Sequence, residues 1–161
     1  MSLTIRPARP GEAGLVLQFV RELAEYEKLT HEVETTEAMI DAALFGANPR
    51  VFCDIAEWNG EPVGNALWFV NFSTFSGRSG IYLEDLFVRP AFRGRGIGKG
   101  LMVHLAQRCV AQGWARFEWS VLDWNAPSIA FYQSIGAQLK NEWTICRVSG
   151  EALSRLARKD I

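Results

Sequence analysis

A loop rich in glycines and cations, Arg93 to Gly100 (RGRGIGKG), lies between an apolar run and a helical pattern. Unhindered backbone N–H groups and the start of a helix both attract anions, so a glycine cluster at this junction is typical of a phosphate-binding loop. The alternative is a glycine-rich turn whose cations are only solvated. The loop therefore raises the question of which phosphate it could hold.

The spacing of the glycines excludes two common phosphate-binding motifs. A dinucleotide fingerprint requires G-x-G-x-x-G, but counting from Gly94 or from Gly96 puts another residue type at the sixth position. A P-loop requires glycine at position 93 and a hydroxyl residue at position 100, where arginine and glycine stand. The pattern that remains is Arg93-x-x-Gly96-x-Gly98.

The stretch YLEDLFV, residues 82–88, carries two adjacent carboxyl groups that could move protons. Strand alternation predicts Glu84 and Leu86 on one face of a strand, and Asp85 and Phe87 on the other. An ordinary glutamate is a weak base at neutral pH, so a role for Glu84 in proton removal requires burial or a relay through water. A structural role is the alternative, and we favour it for Asp85.

The elements that position these groups are indicated by hydrophobic periodicity and by turn residues. Asn59-Gly60 between two strand-like runs predicts a tight hairpin. The segment NAPSIAFYQSIG predicts a short helix that Asn125 caps, and it places Ser128 and Tyr132 one turn apart on one face. The whole chain has the predicted order β-α-α-β-β-β-α-β-α-β-α, with the last strand in QLKNEWTICRVS and the last helix in GEALSRLARK.

This order predicts an α/β (α+β-like) fold: a mixed central sheet, mainly antiparallel in its N-terminal part, flanked by helices. A chain of 161 residues with 48% hydrophobic content is typical of one domain, here residues 1–161. The net charge of −1 argues against nucleic-acid binding. Three scattered cysteines and two separated histidines lack metal-ligand spacing, so we expect no metal. Without a long apolar run we expect no membrane association and a cytoplasmic location.

Four stretches resemble one family. RGRGIGKGL is similar to the acetyl-CoA-binding motif of the GNAT superfamily of N-acetyltransferases: Arg or Gln, two residues, Gly, one residue, then Gly or Ala. Together with RELAEYEKL, YLEDLFV and WNAPSIAFYQSIGA, in the same order, it resembles the spermidine/spermine (diamine) and thialysine N-acetyltransferases. The resemblance covers most of the chain and implies the GNAT fold.

The resemblance also implies acetyl-CoA as co-substrate and assigns roles to residues. Glu84 would be the base or the start of a water relay, and Tyr132 the general acid. A strand N–H, which we assign to Phe87, would bind the oxyanion. The pyrophosphate would bind N–H groups of the glycine loop and the pantetheine arm a splayed strand, which together with the short helix gives the cofactor-binding set Leu86, Phe87, Val88, Arg93, Gly94, Arg95, Gly96, Ile97, Gly98, Lys99, Asn125 and Ser128.

The acceptor pocket is less closely defined. Seven acids between positions 22 and 41, against one lysine, would attract a cationic substrate, or would form solvated helix faces. The resemblance implies substrate contacts by Tyr26, Glu27, Glu84, Trp119 and Glu142, and it implies a homodimer. Asp123 stands where the diamine enzymes commonly carry glutamate, which leaves polyamines, thialysine-like amino acids and other small amines open.

The leading hypothesis is therefore an enzyme that transfers the acetyl group of acetyl-CoA, by direct attack, to a primary amine of a small cationic substrate. A non-catalytic acyl-CoA-binding regulatory protein is the first alternative, and it would need only the loop and the splayed strand. The presence of both Glu84 and Tyr132 favours the enzyme. Acetylation of protein amines is the second alternative, and it differs only in the acceptor pocket.

Overall fold

The computed structural model of the chain describes residues 1–159. The chain divides into two compact units, and the boundary lies between Ser120 and Val121. The first unit contains one five-stranded sheet in the order β1-β2-β3-β4-β5. Its strands are β1 (Leu3–Pro7), β2 (Val51–Trp58), β3 (Glu61–Ser73), β4 (Arg78–Val88) and β5 (Arg116–Trp119). The first four strands are antiparallel and β5 runs parallel to β4, which confirms the predicted mixed sheet.

Helices cover both faces of this sheet. They are α1 (Ala13–Tyr26), α2 (Glu37–Phe45) and α3 (Ile97–Gln112). Apolar residues of α1 and α2 pack with Cys53 and Ile55 of β2 on one face. On the opposite face α3 begins close to β1, because a Cβ atom added at Gly100 would lie 2.7 Å from Leu3 Cδ2. The small residue at position 100 therefore allows the glycine loop to rest against the sheet.

Two local signals in the sequence have their expected effect. Asn59 and Gly60 both have positive φ angles, 51° and 84°, as the predicted two-residue hairpin between β2 and β3 requires. Thr36 caps α2, since its Oγ1 accepts a hydrogen bond of 3.2 Å from the N–H of Met39. These local interactions fix the turn after β2 and the start of α2.

The second unit contains α4 (Ala126–Ser134) and α5 (Gly150–Ala157). The prediction of a strand in QLKNEWTICRVS is wrong, because residues 138–149 adopt no strand conformation. Alternating apolar residues form a strand only when a neighbouring strand completes the hydrogen-bond ladder, and no strand among residues 1–159 pairs with this segment. Its apolar side chains are accordingly exposed, Trp143 by 77% and Ile145 by 72%.

No helix within residues 1–159 is long and apolar enough to cross a membrane.

Candidate active site

A β-bulge places two carboxyl groups side by side on β4. Leu67 of β3 lies opposite Asp85, whereas the next residue, Trp68, lies opposite Leu83, so Glu84 is the extra residue between them. The bulge interrupts the alternation expected along this strand, because Leu83, opposite Trp68, and Asp85, opposite Leu67, lie on different faces of the sheet. Asp85 and Phe87 share one face, as predicted, and Asp85 shares the α1/α2 face with Leu67.

The local environment of Asp85 favours its neutral form. Burial, together with the nearby negative charges of Glu84 and Glu27, raises the pKa of Asp85 to about 6. Glu27 follows the last residue of α1, and its own pKa is raised by burial. The end of α1 and the bulge of β4 thus bring three carboxyl groups together at one end of the sheet, two of them predicted as site residues. Asp85 is the group that sequence reasoning assigned to structure.

The edge of β4 becomes open at the bulge. Within residues 1–159, β5 pairs with β4 only from Gly80 to Leu83, so the strand from Glu84 to Val88 has β3 on one side and no β5 partner on the other. Trp119, a predicted substrate contact, is the residue of β5 opposite Leu83, and it packs against the ring of Phe117 at 4.9 Å. An open strand edge of this kind can pair with an extended ligand that carries amide groups.

The register identifies which backbone groups face this open edge. The N–H of Arg89 donates to the carbonyl of Val63 at 2.8 Å, and hydrogen-bonded pairs alternate along an antiparallel ladder. Phe87 is therefore hydrogen-bonded to β3 through its backbone, whereas Leu86 and Val88 direct their N–H and C=O groups away from β3. The prediction that the N–H of Phe87 binds the oxyanion does not fit this register, because that N–H is engaged by β3. The N–H of Leu86 faces the open edge instead.

The glycine loop has the geometry of an anion site. Gly94 and Gly96 have φ angles of 75° and 77°, and no atom lies within 4 Å of a Cβ added at either residue. Gly96 is the N-cap of α3 and supplies no side-chain hydrogen bond. The first backbone bond of the helix joins the N–H of Gly100 to the carbonyl of Gly96 at 2.8 Å. The N–H groups of Ile97, Gly98 and Lys99 precede this bond and are available to an anion.

The cations of the loop differ in their surroundings. Arg93 is the exception to the predicted phosphate ligands: its N–H donates to the carbonyl of Pro90 at 3.2 Å, and its Nε donates to the carbonyl of Val88 at 2.9 Å. Arg95 lies over the rings of Trp58 and Phe92. Lys99 is exposed at the start of α3. The open glycines, the helix N-terminus and the free strand edge together fit the pyrophosphate and pantetheine parts of acetyl-CoA.

The acidic segment is less uniform than its composition indicates. Glu22 of α1 accepts two hydrogen bonds of 3.1 Å from the guanidinium of Arg89, so its charge is neutralised by an ion pair. Tyr26, at the end of the same helix, is 36% exposed. The charge of Glu22 is therefore offset by Arg89, whereas the charge of Glu27 acts on Asp85 at the bulge.

The second unit contains the other predicted site residues. Asn125 is buried and caps α4, since its Oδ1 accepts from the N–H of Ser128 at 3.3 Å. Tyr132 is half-buried on the same helix, four residues after Ser128, with the ring of Phe131 5.4 Å away. Glu142 is exposed in the segment without a strand and forms an ion pair of 3.0 Å with Lys140. This pairing competes with its predicted role in substrate binding.

Comparison with known proteins defines the class to which this fold and this site belong. The sequence model of the Acetyltransferase (GNAT) family matches residues 17–137. The chain belongs to this family, whose members use acetyl-CoA as co-substrate, and it is an acetyl-transferring enzyme.

Three relatives illustrate the similarity. The chain is 40% identical to a thialysine N-epsilon-acetyltransferase of Sus scrofa, over 98% of this chain and 99% of that protein. It is 28% identical to the L-ornithine N5-acetyltransferase NATA1 of Arabidopsis thaliana, over 98% of this chain and 89% of the relative. An integron cassette protein from the mobile metagenome of V. cholerae has the same fold, with a TM-score of 0.81, 29% identity and 99% coverage of both chains. The predicted resemblance to the thialysine branch is confirmed.

Proposed function

We propose that this enzyme transfers the acetyl group of acetyl-CoA to the side-chain amine of a small cationic amino acid of the thialysine or ornithine type, with polyamines as the second candidate class. The observation that carries the proposal is the position of the Glu84 bulge, which begins where β5 stops pairing with β4. Acidic groups and an edge suited to the donor thus occur at the same point of the sheet.

The donor is proposed to bind along β4 and the glycine loop. Its pantetheine amides would pair with the outward backbone groups of Leu86 and Val88, in the manner of an added strand. Its pyrophosphate would accept hydrogen bonds from the N–H groups between Gly94 and Lys99, at the positive end of α3. The side chains of Arg95 and Lys99 add positive charge beside these groups.

The acceptor amine must lose a proton before it can attack the acetyl carbonyl. An ordinary primary amine has a pKa of about 10.4, so only about one molecule in 2,500 is neutral at pH 7. Glu84 is proposed to take this proton directly or through water. Asp85, with its pKa raised to about 6, is a stronger base than an ordinary carboxylate and would share the proton with Glu84.

Tyr132 is proposed to return a proton to the departing thiolate. A phenol with a pKa of about 10 that protonates a thiolate of about 8.5 does so at a cost of about 2 kcal/mol, which is small beside a catalysed barrier. The helix α4 holds Tyr132 half-buried, with Ser128 one turn before it. The role itself rests on the resemblance of this helix to the family.

Direct transfer is favoured over an intermediate bound to either of the two buried cysteines. Burial raises the pKa of Cys53 to about 12, and burial also raises the pKa of Cys109. A thiol nucleophile requires a lowered pKa and access to the substrate. The two buried cysteines therefore lack the properties of an acyl-accepting residue.

The amino-acid class is placed first because the two relatives described above are named for thialysine and for ornithine. Both compounds combine an α-amino acid with a terminal primary amine, and the cluster of Glu27, Glu84 and Asp85 suits such a cation. A polyamine, or a lysine side chain of a protein, presents the same ammonium group. These acceptors differ in what surrounds the amine, so a direct comparison is needed.

The experiment measures free thiol released from acetyl-CoA in the presence of thialysine, L-ornithine, L-lysine, spermidine or a lysine-containing peptide. We expect the highest kcat/KM for thialysine or ornithine, and no release without an amine. A higher value for spermidine would move the acceptor to the polyamine class, and a higher value for the peptide to protein amines. Binding of acetyl-CoA without release on any amine would refute the proposal.

Three broader expectations remain proposals. Residues 1–161 are proposed to act as a single N-acetyltransferase domain, for which the family match across the boundary between the two compact units, residues 17–137, gives support. The active form is proposed to be a homodimer, as the resemblance implies, and its location is proposed to be the cytoplasm, as the sequence predicts. Light scattering at micromolar concentration measures the mass, and twice the 18.1 kDa of one chain is the expected result.

A further inference from the structure

Arg93 is the first residue of the glycine-loop pattern, but its side chain points back to α1. Its guanidinium carbon lies 4.7 Å from the centre of the Tyr26 ring and 5.7 Å from the centre of the Phe87 ring. Its Nε donates to the carbonyl of Val88 at 2.9 Å. An arginine stacked on aromatic rings and hydrogen-bonded to the backbone is held in place, and it binds through its planar shape as well as its charge.

Tyr26, the residue of α1 that Arg93 contacts, lies beside the cluster of Glu27, Glu84 and Asp85. Tyr26 is the last residue of α1 and is followed by Glu27, whose charge acts on Asp85 at the bulge. The same helix is held at a second point, one turn earlier, by Arg89, the residue that follows β4: it binds Glu22 and lies 4.9 Å from the Phe19 ring. The last turn of α1 is thus one wall of the acidic cluster, and Arg93 is its link to the glycine loop.

We propose that Arg93 is a positioning residue that holds the last turn of α1 against the glycine loop, and so sets the affinity for the amine rather than for acetyl-CoA. The inference rests on the proposed function, because it assumes that the amine binds at the acidic cluster. The backbone N–H of Arg93 is engaged by Pro90 and its Nε by Val88. Its guanidinium lies over the rings of Tyr26 and Phe87, so the side chain is held toward α1. The N–H groups from Gly94 to Lys99 remain for the anion.

The test compares Arg93→Lys, Tyr26→Leu and the double variant. Lysine keeps the positive charge but cannot stack as a plane or donate from Nε, so Arg93→Lys removes the link while it keeps the charge. We expect a rise of about fivefold to tenfold in KM for the amine, and a Kd for acetyl-CoA, measured by calorimetry, within twofold of wild type. The double variant should raise KM no more than the larger single effect, because the two residues act through one contact.

Arg95→Met is the matched comparison within the loop. Arg95 lies over Trp58 and Phe92 rather than over a residue of α1, so its removal should weaken acetyl-CoA binding and leave KM for the amine within twofold. A tenfold rise in the Kd of acetyl-CoA for Arg93→Lys, with KM for the amine unchanged, would assign Arg93 to phosphate binding and overturn the inference.

Hydrogen exchange supplies a readout that needs no turnover. The amides of Glu27 and Leu29 donate to the carbonyls of Leu23 and Ala24 at the end of α1. Arg93→Lys should accelerate the exchange of these two amides at least fivefold while the amides in the middle of α3 keep the wild-type rate. Unchanged exchange at both amides would overturn the inference. If the wild-type enzyme acetylates no amine, the proposed function fails, and the exchange rates still decide whether Arg93 holds the helix.

Discussion

Leu83 and Trp119 form the last pair between β4 and β5. The residue that follows Leu83 is Glu84, the extra residue of the bulge opposite β3. The strand therefore loses its β5 partner and gains its first carboxyl group at the same point. On the proposed function, this coincidence would bring an extended donor to the place where the amine loses its proton.

The glycine loop gives the first prediction. Gly96→Ala should raise the Kd of acetyl-CoA at least tenfold, because a side chain at a φ of 77° is strained and projects into the open space in front of α3. Isothermal calorimetry measures the change.

Gly60→Ala is the control for backbone strain. Gly60 also has a positive φ, 84°, with open space around a Cβ, so it should lower the free energy of unfolding by a similar amount, about 1–2 kcal/mol, without altering acetyl-CoA binding. Equal Kd values for the two variants would remove the loop from the donor site.

Tyr132 gives the second prediction. Tyr132→Phe should reduce kcat about 100-fold or more while it leaves the Kd of acetyl-CoA within twofold, because only the proton donor is removed. Tyr82→Phe is a matched control, since its hydroxyl bonds Ser120 Oγ at 2.7 Å and has no proposed catalytic role. Similar kcat values for the two variants would exclude Tyr132 as the general acid.

The pKa of Asp85 gives the third prediction, which concerns stability. A carboxyl whose pKa is raised from 3.8 to about 6 by folding binds its proton more tightly in the folded state. The penalty for ionisation is absent below about pH 4, grows as the pH rises through 6, and then reaches at most about 3 kcal/mol. Asp85→Asn should therefore be more stable than wild type at pH 8 and equal to it at pH 4. Urea unfolding at both pH values measures this, and an identical difference at both would contradict it.

Local patterns in the sequence predicted the helices, the Asn59-Gly60 hairpin and the anion-binding loop, because each depends on residues close together in the chain. The bulge was not predictable, since it depends on how β3 and β4 align: alternation within YLEDLFV gives Glu84 and Asp85 opposite faces, and only the partners Leu67 and Trp68 reveal the extra residue. The contact between Arg93 and Tyr26 likewise joins residues far apart in the chain.

The strand predicted at residues 138–149 is a feature that the sequence pattern indicates but that the structure lacks. Its apolar residues alternate as a strand would require, but a strand also needs a neighbour, and within residues 1–159 it has none.

The central claim is that the carboxyl groups at the β4 bulge accept the proton of the amine. The measurement that tests it most directly is the pH dependence of kcat/KM for the best amine, from pH 5 to 9, in wild type, Glu84→Gln and Asp85→Asn. We predict that wild-type activity rises through an inflection near pH 6, where Asp85 ionises, that Asp85→Asn loses this inflection, and that Glu84→Gln lowers kcat/KM at least tenfold throughout. Profiles for both variants that match wild type in shape and in magnitude would contradict the claim.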